Sequence, residues 1–142
     1  EHDVGVTMSE SLELSTMMVD WGVDMIHISC WDAFTGAQGD SDDPRTITSR
    51  FREKLGEGVP LISTGSVWDG SDAQFVLDEG ADLVGVARVA IAHSDWASEV
   101  EVEGYSPDRP PFTPEHLIDQ GLSPTFVDYM RRWRGFVTDG RL

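Results

Sequence analysis

The 142 residues carry 26 acidic against 10 basic side chains, a formal charge of −16 at neutral pH, with 39% apolar content. The apolar fraction is enough for a core of ordinary domain size, whereas the charge opposes binding to nucleic acid or to an anionic membrane surface. With Cys30 the sole cysteine and Lys54 the sole lysine, there is no internal disulfide and no thiolate set for zinc or an iron–sulfur cluster. The acids are spread along the chain rather than gathered in a tail, as in a protein of a salt-rich cytoplasm; an ordinary acidic protein is the alternative. No apolar stretch approaches the ~20 residues of a membrane span, and the acidic start lacks a signal-peptide n-region, so the expected location is the cytoplasm.

Residues 1–6 hold no strand of their own and read as the interior of a longer array. Thr7-Met8-Ser9-Glu10 has capping-box form, Leu14, Met17 and Met18 recur at helical spacing, and Gly22 stops the helix. Met25 to Ser29 reads as a short strand buried on both faces. From Cys30 to Pro44 the composition turns to Gly, Asp, Ser and two aromatics, a long connection of the kind that is functional or disordered. The Asp40, Asp42 and Asp43 cluster lacks the glycine and terminal glutamate of a calcium loop, so no metal site is assigned. Ile47, Phe51 and Leu55 then form one helical stripe up to Gly56.

Leu61 to Arg88 organises the rest. An apolar run ends in Ser63-Thr64-Gly65-Ser66, a helix capped by Asp69 buries Ala73, Val76 and Leu77 and stops at Gly80, and a second apolar run from Leu83 ends at Ala87-Arg88. Short apolar runs separated by an amphipathic helix imply parallel strands, because a parallel pair needs a crossover. Both following loops then leave the same sheet edge, and a small-residue loop beside a guanidinium suits a phosphate. Downstream, Val89 to Ala92 is an apolar turn, Glu99 to Pro114 is a linker by composition, and Thr113-Pro114 and Ser123-Pro124 start two helices, with Phe126, Tyr129 and Met130 facing one way. The fold class is α/β: three strands near Met25–Ser29, Leu61–Thr64 and Leu83–Val86, with residues 1–98 as the α/β part and 99–142 as linker and helical tail.

The stretch VPLISTGSVWDGSDAQFVLDEGADLVGVARVAIAHSDWASEV resembles the flavin oxidoreductases of the old yellow enzyme group, in which a strand ending in Gly-Gly is followed by a helix, then by Asp-Leu-Val-Gly-x-Gly-Arg and an apolar turn. GVDMIHIS resembles the strand two units before that Gly-Arg motif. The resemblance covers roughly residues 1 to 100. It implies a partial (β/α)8 TIM barrel, its strands corresponding to the sixth to eighth, with a phosphate site in the loops after the last two. By resemblance, Gly65, Ser66, Ala87 and Arg88 hold the phosphate of FMN, with NADH or NADPH as electron donor and a small-molecule acceptor. Ser66 stands where the family has its second glycine, and Ala87 where it has the glycine before arginine.

The family's catalytic groups come from the earlier part of the barrel, so no residue here is assigned a catalytic role. The implied function is the C-terminal part of an FMN-dependent oxidoreductase, inactive alone. The alternatives are another phosphate-binding barrel enzyme, or a non-catalytic truncated or split-gene product that needs an N-terminal half-barrel or self-associates. Residue-level alternatives stay open: Arg88 paired with a surface acid, Gly65 as a turn glycine, His27 as a satisfied core histidine, and His93 as a solvated helix-entry residue. Cys30 and Trp31 either contact a substrate or flavin at the strand's end or have no such role. Ser29 and Asp32 lack the histidine and elbow of a hydrolase triad.

Overall fold

A computed structural model of the chain describes residues 5–37 and 43–138. The chain divides into two compact units, one formed by Glu1–Val67 with Ser71–Gly85, the other by Trp68–Gly70 with Val86–Leu142.

The first unit is a parallel sheet with helices. Helix α1 (Met8–Asp20) starts on the complete capping box: Glu10 N–H donates to Thr7 Oγ1, and the Glu10 carboxylate accepts from Thr7 N–H at 2.8 Å. Those bonds hold the Glu10 carboxyl below its ordinary pKa. Strand β1 (Ile26–Ser29), helix α2 (Ile47–Leu55), strand β2 (Leu61–Thr64), helix α3 (Gly70–Asp78) and strand β3 (Leu83–Gly85) follow. The strands lie in the order β1-β2-β3, all parallel, with Ser29 opposite Thr64 and Thr64 opposite Gly85. The chain is thus a mixed α/β protein with a small parallel sheet, consistent with part of an α/β barrel.

One sheet face is dry. Ile26, Ile28 and Leu61 meet Phe51 of α2 and are flanked by Met8, Leu12, Met18 and Val19 of α1. Thr48 and Ser63 bury their hydroxyls there as a 2.7 Å pair, so neither is left unsatisfied. The other face differs from the expectation of burial on both sides: His27 and Ser29 of β1 are exposed. Two helix faces also differ. Leu14 and Met17 of α1 point to solvent, and so does Leu77 of α3, while Val76 is fully buried.

The second unit contains α4 (Arg88–Ala92), α5 (Trp96–Glu99), α6 (Pro114–Asp119) and α7 (Pro124–Met130). Thr113 and Ser123 cap α6 and α7 through side-chain oxygens, with proline at the first helical turn of each. Its core is Val89, Trp96, Phe112, Leu117, Val127, Met130 and Phe136. Segment 99–114, linker-like in composition, is packed at several points: Phe112 is buried and bridges to Val137, and the carbonyls of Pro107 and Asp108 accept from Trp68 Nε1 and His93 Nε2. His93 is therefore a half-buried bonded side chain rather than a solvated one. Met130 faces inward while Phe126 and Tyr129 face out, so these three residues do not share a face. No helix among the described residues is long and apolar enough to cross a membrane.

Candidate functional site

All three strands of the first unit end at one edge, because the pairing Ser29–Thr64–Gly85 aligns their last residues. The loops leaving β1 and β2 there are tied together. Cys30 N–H donates to the Thr64 carbonyl at 2.9 Å, Ala33 N–H to the Gly65 carbonyl at 3.1 Å, and Ser66 Oγ to the Trp31 carbonyl at 2.9 Å. Gly65 is buried in this contact. A Cβ there would lie 2.8 Å from both Ala33 N and Cys30 Sγ, so the position demands glycine by close approach. Ser66 has φ 57°, the left-handed region that glycine enters most readily. Its hydroxyl bond to Trp31 offsets part of that cost.

On the exposed sheet face, His27 Nε2 and Thr64 Oγ1 hydrogen-bond at 2.8 Å. His27 is thus satisfied but not a core residue. Thr64 packs directly over Gly85, where a Cβ would sit 1.8 Å from Oγ1. Cys30 donates its thiol to the Thr64 carbonyl at 3.1 Å; burial first, and the neighbouring Asp32 second, push its pKa up. It therefore stays a thiol at neutral pH and is a poor nucleophile. Asp32 is used locally, accepting from Phe34 N–H at 2.9 Å. Trp31 is exposed.

A cleft of about 500 Å³ opens beside β1, with Thr7, His27, Ser29, Cys30, Asp32 and Phe51 in its lining. Neither Gly65 nor Ser66 lines it, but Cys30 and Trp31, which do, bond to the Thr64 carbonyl and the Ser66 hydroxyl, so the cleft adjoins that loop. Asp40 and Asp42 lie outside the described residues. Asp43 is spent on arginines, chelated by Arg45 at 2.9 and 2.7 Å with Arg50 at 3.4 Å, and the Arg45 bonds hold its carboxyl far below the usual range.

Ala87 and Arg88 belong to the second unit. Ala87 has a negative φ, −133°, so the alanine in place of glycine imposes no left-handed strain. Arg88 opens α4 and is half-buried. Sequence reasoning named the loop residues but missed the Cys30–Ala33 backbone that supports them and the His27–Thr64–Gly85 row across the sheet. The signal for the latter was a glycine inside an apolar strand run, which marks close backbone or side-chain approach.

No protein-family model matches the chain. Among curated proteins it is 33% identical over 97 residues to "Probable NADH-dependent flavin oxidoreductase YqiG" of Bacillus subtilis, covering 68% of this chain and 26% of that protein. It is 29% identical over 99 residues to the NADH:fumarate oxidoreductase of Klebsiella pneumoniae, covering 68% of this chain and 11% of that protein. An imidazole-4-carboxamide isomerase of Bifidobacterium adolescentis, whose substrate name includes phosphoribosyl groups, is 29% identical over 89 residues, 63% of this chain and 35% of its own length. The chain thus spans between about a tenth and about a third of these relatives. Over some two-thirds of its residues, it is homologous to NADH-dependent flavin oxidoreductases.

Proposed function

We propose that this chain is the C-terminal part of an FMN-dependent NAD(P)H oxidoreductase of the old yellow enzyme kind, and that Gly65, Ser66, Ala87 and Arg88 serve the FMN phosphate. The observation that carries this reading is the in-register ending of β2 and β3, with Thr64 opposite Gly85. That pairing ends both strands at one sheet edge, the edge at which barrel enzymes bind phosphate. Two torsions support the reading at the departures from the family pattern: Ser66 adopts a positive φ, as a glycine would, and Ala87 has a negative one. The relatives add a second support. One relative's name includes phosphoribosyl groups, so a phosphate-bearing ligand occurs among the proteins this chain resembles.

In the complete enzyme the flavin supplies hydride transfer between the nicotinamide and an acceptor. Fumarate, the acceptor in one relative's name, is an activated alkene, the acceptor class that fits this group. The residues of this chain bind and orient: Gly65 lets the backbone pass close to its neighbours, and Arg88 supplies positive charge to a phosphate. The remaining strands and the catalytic groups come from a preceding segment or a second chain, and the unpaired edge of β1 is where the next strand would join. A second reading, a different phosphate-binding barrel enzyme, is favoured only by the isomerase relative.

The test is a titration of the chain with FMN and, in parallel, with riboflavin, which lacks the phosphate, each followed by flavin fluorescence. FMN should bind saturably and better than riboflavin, and Arg88→Ala should weaken FMN by about tenfold or more, the scale of a charge-assisted hydrogen bond. Equal binding of the two flavins, or FMN affinity indifferent to Arg88→Ala, would overturn the assignment. Preference for a phosphoribosyl compound over FMN would favour the second reading.

A further inference from the structure

Two helix faces carry apolar stripes of the same spacing and opposite flanking charge. On α1, Leu14, Met17 and Trp21 recur at i, i+3 and i+7, and they are 48%, 48% and 71% exposed. The acids of that helix are Glu10, Glu13 and Asp20, and it has no basic residue. On α7 and the turn after it, Phe126, Tyr129 and Trp133 repeat the spacing at 40%, 41% and 36% exposure. Their rings form a ladder, with centroids 5.6 Å apart from Phe126 to Tyr129 and 5.1 Å from Tyr129 to Trp133. The Arg132 guanidinium stands 5.0 Å from the Tyr129 ring centre.

The charge asymmetry is large. Residues 124–138 contain three arginines and one aspartate, whereas residues 1–123 contain six basic and 24 acidic side chains. At about 100° per residue, Glu13 and Asp20 fall on one flank of the α1 stripe, while Arg132, in the turn after α7, stands against the Tyr129 ring of the other stripe. Single exposed apolar residues are ordinary on a surface. Three large ones in one helical row are what a helix presents to a partner, and aromatic rings with arginine are the side chains enriched in interface cores.

We propose that the chain self-associates, the acid-flanked stripe of α1 in one copy packing on the aromatic, arginine-flanked stripe of α7 in another. Apolar contact supplies the attraction and charge selects the pairing. Two α1 stripes would bring carboxylates together and two α7 stripes would bring guanidinium groups together, so like pairs are disfavoured and unlike pairs favoured.

Sedimentation velocity on the full chain tests this with two exposed-surface double variants, Arg132→Glu with Arg134→Glu, and Glu13→Arg with Asp20→Arg. Circular dichroism and melting of each variant should match the parent, since none of the four side chains is buried. The parent should show concentration-dependent association, weakened by salt that shortens the screening length to ~3 Å. Each double variant alone should associate about tenfold more weakly or less, as for loss of a close charge pair. An equimolar mixture should recover the parent's association, because the reversed α7 stripe of one variant then faces the reversed α1 stripe of the other, and the two intact stripes face each other. A parent that stays monomeric at every concentration, association unchanged by both reversals, or a mixture that does not recover would each overturn the proposal. The first of these is the result expected if another stretch of a longer polypeptide covers the stripes.

Discussion

Gly65 and Gly85 are required for a reason that has nothing to do with a left-handed backbone. At both, another part of the chain occupies the volume a side chain would need: Cys30 and Ala33 at Gly65, the Thr64 hydroxyl at Gly85. Gly65→Ala should therefore destabilise by about 1–3 kcal/mol, the range for overpacking, as read by urea unfolding. Gly85→Ala should cost at least as much, and less in a Thr64→Ala background, where the 1.8 Å contact with Oγ1 is gone and the 3.0 Å contact with Cβ remains. If the two Gly85→Ala costs are equal, the threonine is not what excludes a side chain. Gly65 was visible in the sequence as a loop glycine next to a strand, but both sets of obstructing atoms come from residues more than 20 positions away. The positive φ fell on Ser66 and not on Ala87, a distinction that backbone torsions make and residue identities do not.

At the scale of elements, Arg52 and Asp82 join helix ends to strand entries. The Arg52 guanidinium, on α2, donates to the carbonyls of Gly80 at 2.7 Å, Gly56 at 2.6 Å and Val59 at 3.1 Å, and pairs with Asp82 at 2.5 Å. Asp82 also accepts from Leu61 N–H at 2.7 Å, the first residue of β2. That backbone bond, and then Arg52, lower the Asp82 pKa. A depressed carboxyl stabilises the fold above its unfolded pKa, about 3.9, and the contribution disappears as pH falls through the lower folded value. Asp82→Asn should accordingly flatten the loss of stability below about pH 4, measured by urea midpoints across that range; an unchanged acid limb would show that other carboxylates govern it.

Helix starts and stops were legible because they are local: Thr7 with Glu10, Thr113 with Pro114, Ser123 with Pro124, and glycines 22, 56 and 80 all act within a turn of the boundary they set. Which stripe faces inward was not legible. Helix α1 carries two apolar rows, and periodicity alone does not say that Leu12 and Val19 would take the sheet while Leu14 and Met17 would be left outside.

At the scale of the whole molecule, the two units have separate cores, Leu61 fully buried in one and Leu117 in the other. Leu61→Ala and Leu117→Ala should each cost about 2–5 kcal/mol. In amide hydrogen exchange the first should lower protection chiefly in β1 and β2, and the second chiefly in α6 and α7. Uniform loss in both variants would show a single cooperative block instead. By itself the sequence determined the order of the strands and of the helices between them and the parallel pairing implied by helical crossovers, because caps, glycine stops and apolar period act over a few residues. Only the tertiary structure decided that one sheet face stays exposed, that the β1 and β2 loops brace each other at Gly65, and that charged aromatic and aliphatic stripes remain uncovered. Those outcomes depend on which distant atoms compete for the same space, and no local pattern encodes that competition.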